Sequence, residues 1–219
     1  MMDTAELRQA LEQGRSLING PAGALELLVE APKSPDTHGI ALIAHPHPLH
    51  GGTMDNKVVY SVARGAQDAG CLAVRFNFRG VGRSAGQHAH GAGEQEDLAA
   101  VAAYLREALP QLPLALAGFS FGSYQALAQC APLQAKGVLT VAPPLAYAGD
   151  EPLPNPQAPW WLIHGDADDV VDCADTLRRA KAAVRPPEQL QVLPGVGHFF
   201  HGELPAVRSF TEDFLRAVI

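Results

Sequence analysis

Gly118-Phe-Ser120-Phe-Gly122 sets a serine midway between two glycines. A serine at a tight strand-to-helix turn is held in strained backbone geometry, and small neighbours keep that turn clear of the sheet. Its hydroxyl then projects from the sheet top as a nucleophile. With 21 glycines and seven serines in the 219 residues, independent positions give roughly 0.06 such pentapeptides by chance. The apolar run Leu114–Ala117 leads straight into it. A serine hydroxyl needs a base to take its proton. His198, in Gly195-Val-Gly197-His198-Phe199-Phe200, is the candidate, because glycines on its approach let the loop carry the imidazole across the sheet top. His201, its nearest rival, lies too far toward the following helix. The base in turn needs an orienting acid. His164-Gly-Asp166-Ala-Asp168-Asp169-Val-Val-Asp172 offers four aspartates. Asp168 stands at the far point of that loop, ahead of a Val-Val pair able to anchor its return. Asp166 can instead close the turn after the strand, and Asp172 suits an N-cap, with Asp175 three residues on. Asp168 is therefore the expected acid and Asp166 the second choice.

These side chains are far apart in sequence, so a framework must bring them together. Short apolar runs alternate with longer amphipathic ones. Strands are expected at Gly39–Ala44, Leu72–Phe78, Pro113–Gly118, Gly137–Ala142, Trp160–His164 and Gln189–Leu193, with an earlier one over residues 20–31. Helices are expected at Thr53–Ala69, Glu94–Leu109, Phe121–Gln129, about Ala174–Val184, and Pro205–Ile219. The strands are continuous apolar runs, as parallel strands covered on both faces should be. Repeated strand–helix units predict an α/β doubly wound sheet. Ligands in such sheets bind beyond the carboxyl ends of the strands, where the serine, acid and base all fall. Pro143–Pro159 holds six prolines and no helical period, so it is expected to be a loop rather than an inserted domain.

Composition narrows the field. The chain has 47% hydrophobic and 18% charged residues, and a formal net charge of -7. At this length roughly 70% of the unfolded surface is buried on folding, which predicts one α/β domain over residues 1–219. An acidic chain with no basic patch is not expected to bind nucleic acid. The longest purely apolar run, Leu98–Leu105, is far below the ~18 residues of a membrane span. Asp3 is followed by no apolar stretch, so no secretory signal is expected. Three cysteines, Cys71, Cys130 and Cys173, show no metal-type spacing, and a reducing, cytoplasmic setting fits them.

The order Ser120, Asp168, His198 is that of the α/β-hydrolases, which the chain resembles from about Gly20 to Ile219. The resemblance implies about eight strands and a Ser-His-Asp triad for acyl transfer. His45-Pro-His47-Pro-Leu-His50-Gly-Gly52 through Lys57, with Asn77-Phe-Arg79-Gly80-Val-Gly82-Arg-Ser84, looks like a narrower group. These are the small bacterial serine hydrolases of esterase and dienelactone-hydrolase type, which have no cap domain. The resemblance also implies two backbone donors for an oxyanion. One is the N–H of Phe121, after the nucleophile; the second comes from the loop after Ala44. Where relatives commonly carry His-Gly, this chain has His45-Pro46-His47, and proline has no N–H to give. His47 is the expected donor, with Leu49 the alternative.

Two other patterns admit different chemistry. His45, His47 and His50 invite a metal, but prolines stiffen the loop and no carboxylate or cysteine joins them closely, so they are expected to line a polar cleft. Gly80-Val-Gly82-Arg-Ser-Ala85 satisfies the dinucleotide fingerprint. A helix should open directly at such a loop, and polar and glycine residues intervene here before Glu94. The loop is expected to support the rim through Arg79 and Ser84. No metal and no cofactor are expected; the implied partner is a small-molecule ester, thioester or lactone cleaved through Ser120, the alternatives being a peptidase or amidase on the same triad or a non-catalytic binding module with this fold.

Overall fold

A computed structural model describes residues 14–219. Its eight strands are β1 (Arg15–Gly20), β2 (Gly23–Glu30), β3 (Gly39–Ala44), β4 (Cys71–Phe76), β5 (Leu114–Phe119), β6 (Val138–Val141), β7 (Trp160–Gly165) and β8 (Gln189–Leu193). They form one sheet in the order β1-β2-β4-β3-β5-β6-β7-β8. β1 and β2 pair antiparallel, as do β2 and β4; every other pairing is parallel. Among the described residues five helices cover it: α1 (Lys57–Asp68), α2 (Ala92–Ala108), α3 (Phe121–Cys130), α4 (Cys173–Ala182) and α5 (Leu204–Val218).

Both faces of the central strands are covered by apolar side chains. Along β3, Ile40, Leu42 and Ala44 join one apolar cluster with Leu98, Val101 and Leu105 of α2 and Leu127 of α3. The alternating residues Ala41 and Ile43 join the other, with Val58 and Val62 of α1 and Val207 and Phe214 of α5. Period-two side chains with apolar residues at both phases have this consequence: the strand is buried twice over. α1 and α5 pack tightly because Gly65 is bare; a Cβ there would lie 2.4 Å from the Arg208 carbonyl oxygen.

Three of the shifted boundaries have a clear local reason. Within residues 20–31 the expected strand is present as β2 alone, Gly23–Glu30. It completes a hairpin that begins at Arg15 and turns over Gly20-Pro21-Ala22-Gly23, where Gly23 adopts a φ of 114°. α1 starts at Lys57 rather than Thr53, since the Asn56 side chain accepts the N–H groups of Val58 and Val59. α2 starts two residues before Glu94, whose carboxylate reaches back to the N–H groups of Ala89 and Gly91. Between β6 and β7 the chain makes one 3-10 turn, Leu145–Ala148, and an irregular loop. No helical cap covers the carboxyl edge of the sheet between those strands.

Candidate active site

Ser120 lies at the junction of β5 and α3 with φ 52° and ψ −123°, a conformation rare for a residue with a side chain. The turn is held by the Ser120 N–H donating to the Val141 carbonyl at 2.8 Å. Both flanking glycines are required by contact. A Cβ on Gly118 would sit 2.4 Å from the Gly122 carbonyl oxygen, and one on Gly122 would sit 2.4 Å from that of His45. The pentapeptide therefore lets α3 start directly against the backbone of the loop after β3.

His198 and Asp168 converge on this serine. The Ser120 hydroxyl lies 3.0 Å from His198 Nε2, and His198 Nδ1 lies 2.7 Å from Asp168 Oδ2. Asp168 accepts two further bonds at Oδ1, from the N–H groups of Val170 (2.9 Å) and Val171 (2.8 Å). Its side chain is fully buried. Burial alone would raise its pKa, but the bonds from His198 and the two amides prevail and hold it below the usual carboxylate value. An ionised Asp168 requires the proton of neutral His198 to sit on Nδ1, leaving Nε2 free to accept from the serine. Phe119 packs on the imidazole, ring centroids 4.9 Å apart. The competing residues have other partners. Asp166 accepts the Gly195 N–H at 2.6 Å, closing the turn into the His198 loop, and Asp172 caps α4 through the Asp175 N–H at 2.7 Å. His201 is exposed, and its ring meets Phe199.

The loop after β3 departs from expectation at one residue. His45 does not line the cleft beside His47 and His50; it is fully buried under the loop, edge-on to Phe78. It is the first polar side chain after an apolar strand, and the register of β3 continues inward through it. The three imidazoles thus do not converge, and among the described residues no group of three His, Cys, Asp or Glu side chains meets at a metal-like point. The Leu49 N–H donates to the His47 ring at 3.2 Å, so that amide is engaged. The Phe121 N–H, at the first position of α3, has no acceptor within its helix. The N–H of His47 makes no hydrogen bond to another described group.

A family model for the alpha/beta hydrolase fold matches residues 49–154. A solved α/β serine hydrolase homologue from Coxiella burnetii is 38% identical, covering 92% of this chain and 96% of that one, with a TM-score of 0.85. A Xanthomonas campestris α/β serine hydrolase without a lid is 39% identical over 93% of each chain, with a TM-score of 0.84. The chain belongs to the α/β hydrolase family. An uncharacterised protein of Rickettsia prowazekii is also similar to this hydrolase, 34% identical over 213 residues, 91% of this chain and 84% of that one.

The carboxyl edge of the sheet opens into a cleft of about 380 Å³ that includes Ser120, His198, His47, Tyr147, Val170 and Phe199. Tyr147, Val170 and Phe199 are apolar rim residues left largely exposed. The glycine-rich loop after β4 makes structural hydrogen bonds through Arg79 and Ser84. Ser84 donates to the Asn77 carbonyl (2.6 Å), and Arg79 grips buried Asp97 at 2.8 Å. No helix opens at that loop; α2 follows only at Ala92. Sequence reasoning gave no role to His164, which is buried at the end of β7 with Nδ1 3.9 Å from Asp168 Oδ2. It also passed over His88 and His90. The His88 ring packs against His47, centroids 4.8 Å apart, and His90 against His88.

Proposed function

We propose that this hydrolase cleaves carboxylic ester-type bonds, namely short-acyl esters, thioesters or lactones, through an acyl-enzyme on Ser120. The observation that carries the reading is the unbroken row Ser120 Oγ, His198 Nε2, His198 Nδ1, Asp168 Oδ2. As Ser120 attacks the acyl carbon, His198 takes the hydroxyl proton and becomes imidazolium, which Asp168 orients and stabilises. The carbonyl oxygen gains negative charge and is met by the N–H groups of Phe121 and His47. His198 then gives its proton to the departing alkoxide or thiolate. Water, deprotonated by the same imidazole, attacks the acyl-enzyme, and the proton returns to Ser120.

An open cleft without a cap supports small, accessible acyl groups. Amide cleavage usually draws on a cap or propeller to position the substrate, and the segment between β6 and β7 is too short to supply one. No described helix is long and apolar enough to cross a membrane. Cys71, Cys130 and Cys173 are free and buried, which supports a cytoplasmic setting where thiols persist.

The test is steady-state hydrolysis of a p-nitrophenyl ester series beside a thioester, a lactone and an amino-acyl anilide. At least one ester-type substrate should turn over while the anilide does not. Ser120→Ala should lower kcat by about 10⁴ to 10⁶ with the fold retained. Near-full activity in that variant, or a preference for the anilide, would overturn the reading.

A further inference from the structure

The His47 N–H can serve an oxyanion only if its peptide plane is held with that bond facing Ser120, and a loop is a poor place to hold a plane. Five contacts bear on this one. Phe78 donates its N–H to His45 Nε2 at 3.0 Å. That bond makes Nε2 an acceptor, so the neutral ring carries its proton on Nδ1. Nδ1 lies 2.6 Å from the Pro46 carbonyl oxygen and therefore donates to it. On the far side, Gly52 packs against the same carbonyl so closely that a Cβ there would fall 2.0 Å from the oxygen. Beyond it, the His47 carbonyl accepts the N–H groups of His50 and Gly52, both at 3.1 Å.

The Pro46 carbonyl and the His47 N–H belong to one planar trans peptide and point in opposite directions. Pinning the oxygen toward the core aims the N–H the other way. The next peptide is pinned by its own carbonyl, and Gly122 brings the start of α3, with the Phe121 N–H, against the His45 backbone.

We propose that His45 is a positioning residue for the oxyanion site: its Nδ1–H, fixed by the Phe78 amide on the opposite nitrogen, anchors the Pro46 carbonyl and thereby orients the His47 N–H. This rests on the esterase reading above, and it adds a buried residue that never touches substrate. Burial, opposed only in part by the bond to Pro46, pushes the His45 pKa down to about 4, so the ring stays neutral and its tautomer stays fixed through the neutral range.

His45→Gln removes the donor at the Nδ1 position, whereas His45→Asn places an amide N–H close to it. On p-nitrophenyl acetate, with active sites counted by fluorophosphonate titration, His45→Gln should lose about 10²-fold in kcat with KM within about threefold of wild type. Its affinity for a trifluoromethyl ketone, which presents a tetrahedral oxyanion, should fall by the same factor. His45→Asn should recover most of both. Gly52→Ala disturbs the same carbonyl from the other side and should repeat the pattern. A merely structural role would lower thermal stability and the titrated fraction, leaving kcat per site and analogue affinity unchanged; that result overturns the proposal. If neither His45 variant folds, ¹⁵N NMR of the wild-type imidazole decides, with a proton on Nδ1 and none on Nε2 expected, and the reverse tautomer overturning it. A wild type that neither turns over esters nor is labelled at Ser120 would fail the esterase reading itself. An active, labelled wild type with an unimpaired His45→Gln fails this proposal alone.

Discussion

Asp168 shows how one side chain can be given two tasks by its two oxygens. Oδ2 holds the imidazole while Oδ1 ties down the loop through Val170 and Val171. Asp168→Asn should separate them. The amide oxygen can still accept the two backbone bonds, but the amide nitrogen, facing His198, can only donate. The imidazole must then turn its unprotonated nitrogen toward residue 168 and present a proton to Ser120, the wrong tautomer for a base. A loss of kcat on the order of 10⁴ is expected, with the denaturation midpoint little changed. Asp166→Asn should stay within about threefold of wild type, because Asp166 only closes the turn at Gly195. Kinetics of the two variants side by side check the assignment, and the reverse ranking would contradict it. The four-aspartate run could be sorted from sequence because each acid stands at a different place relative to the strand end. His45 could not, since nothing in a His-Pro-His string says which imidazole turns inward.

At the scale of elements, the site is the product of strand ends. Ser120, Asp168 and His198 follow β5, β7 and β8, and His47 follows β3. The central strands β3, β5 and β6 were legible because each is buried on both faces and reads as a nearly unbroken apolar run, whereas β8 at the edge is half exposed and carries Gln189 and Gln191. β1 and β2 were harder to place, because an antiparallel edge hairpin is half buried and its pattern includes Arg15, Ser16, Asn19 and Glu26. Helix starts were missed by two to four residues where a side chain reaches back to cap, as Asn56 and Glu94 do. α5 is expected to matter for stability and not for chemistry. Phe214 is fully buried between α5 and the sheet, so Phe214→Ala should cost about 3–5 kcal/mol in urea denaturation. Its kcat per folded molecule should be unchanged; an equal stability with lost activity would contradict the division of labour.

The whole molecule carries buried ionisable groups whose sum sets its acid tolerance. His45 falls from 6.5 to about 4 through burial, and burial also holds His164 below the ordinary imidazole value despite Asp168 nearby. A buried neutral histidine lets the unfolded chain bind the extra proton. Stability is therefore full above pH 6.5 and declines as pH falls toward 4. The displacement of His45 alone corresponds to about 3 kcal/mol by the linkage relation. Asp168 and Glu94 act lower down. Burial would raise both, but their hydrogen bonds prevail, so they add stability above the ordinary carboxylate pKa that is lost on further acidification. Denaturation midpoints measured from pH 7.5 to 4 should hold steady down to about pH 6.5 and then fall, and His45→Asn should flatten that slope. A midpoint independent of pH down to 4.5 would contradict the buried, neutral state of these rings. The fold class and the Ser-Asp-His order were legible at this scale. The coupling between the β3 and β4 loops was not, since it depends on a long-range bond, Phe78 to His45, that has no sequence signature.

The most direct measurement is rapid-quench trapping of the enzyme with a slowly released acyl ester, followed by peptide mass mapping. One acyl group per molecule, on the peptide containing Ser120 and absent in Ser120→Ala, is the expected result. Turnover with no acylated intermediate on that peptide, or acylation at another residue, would contradict a nucleophilic Ser120.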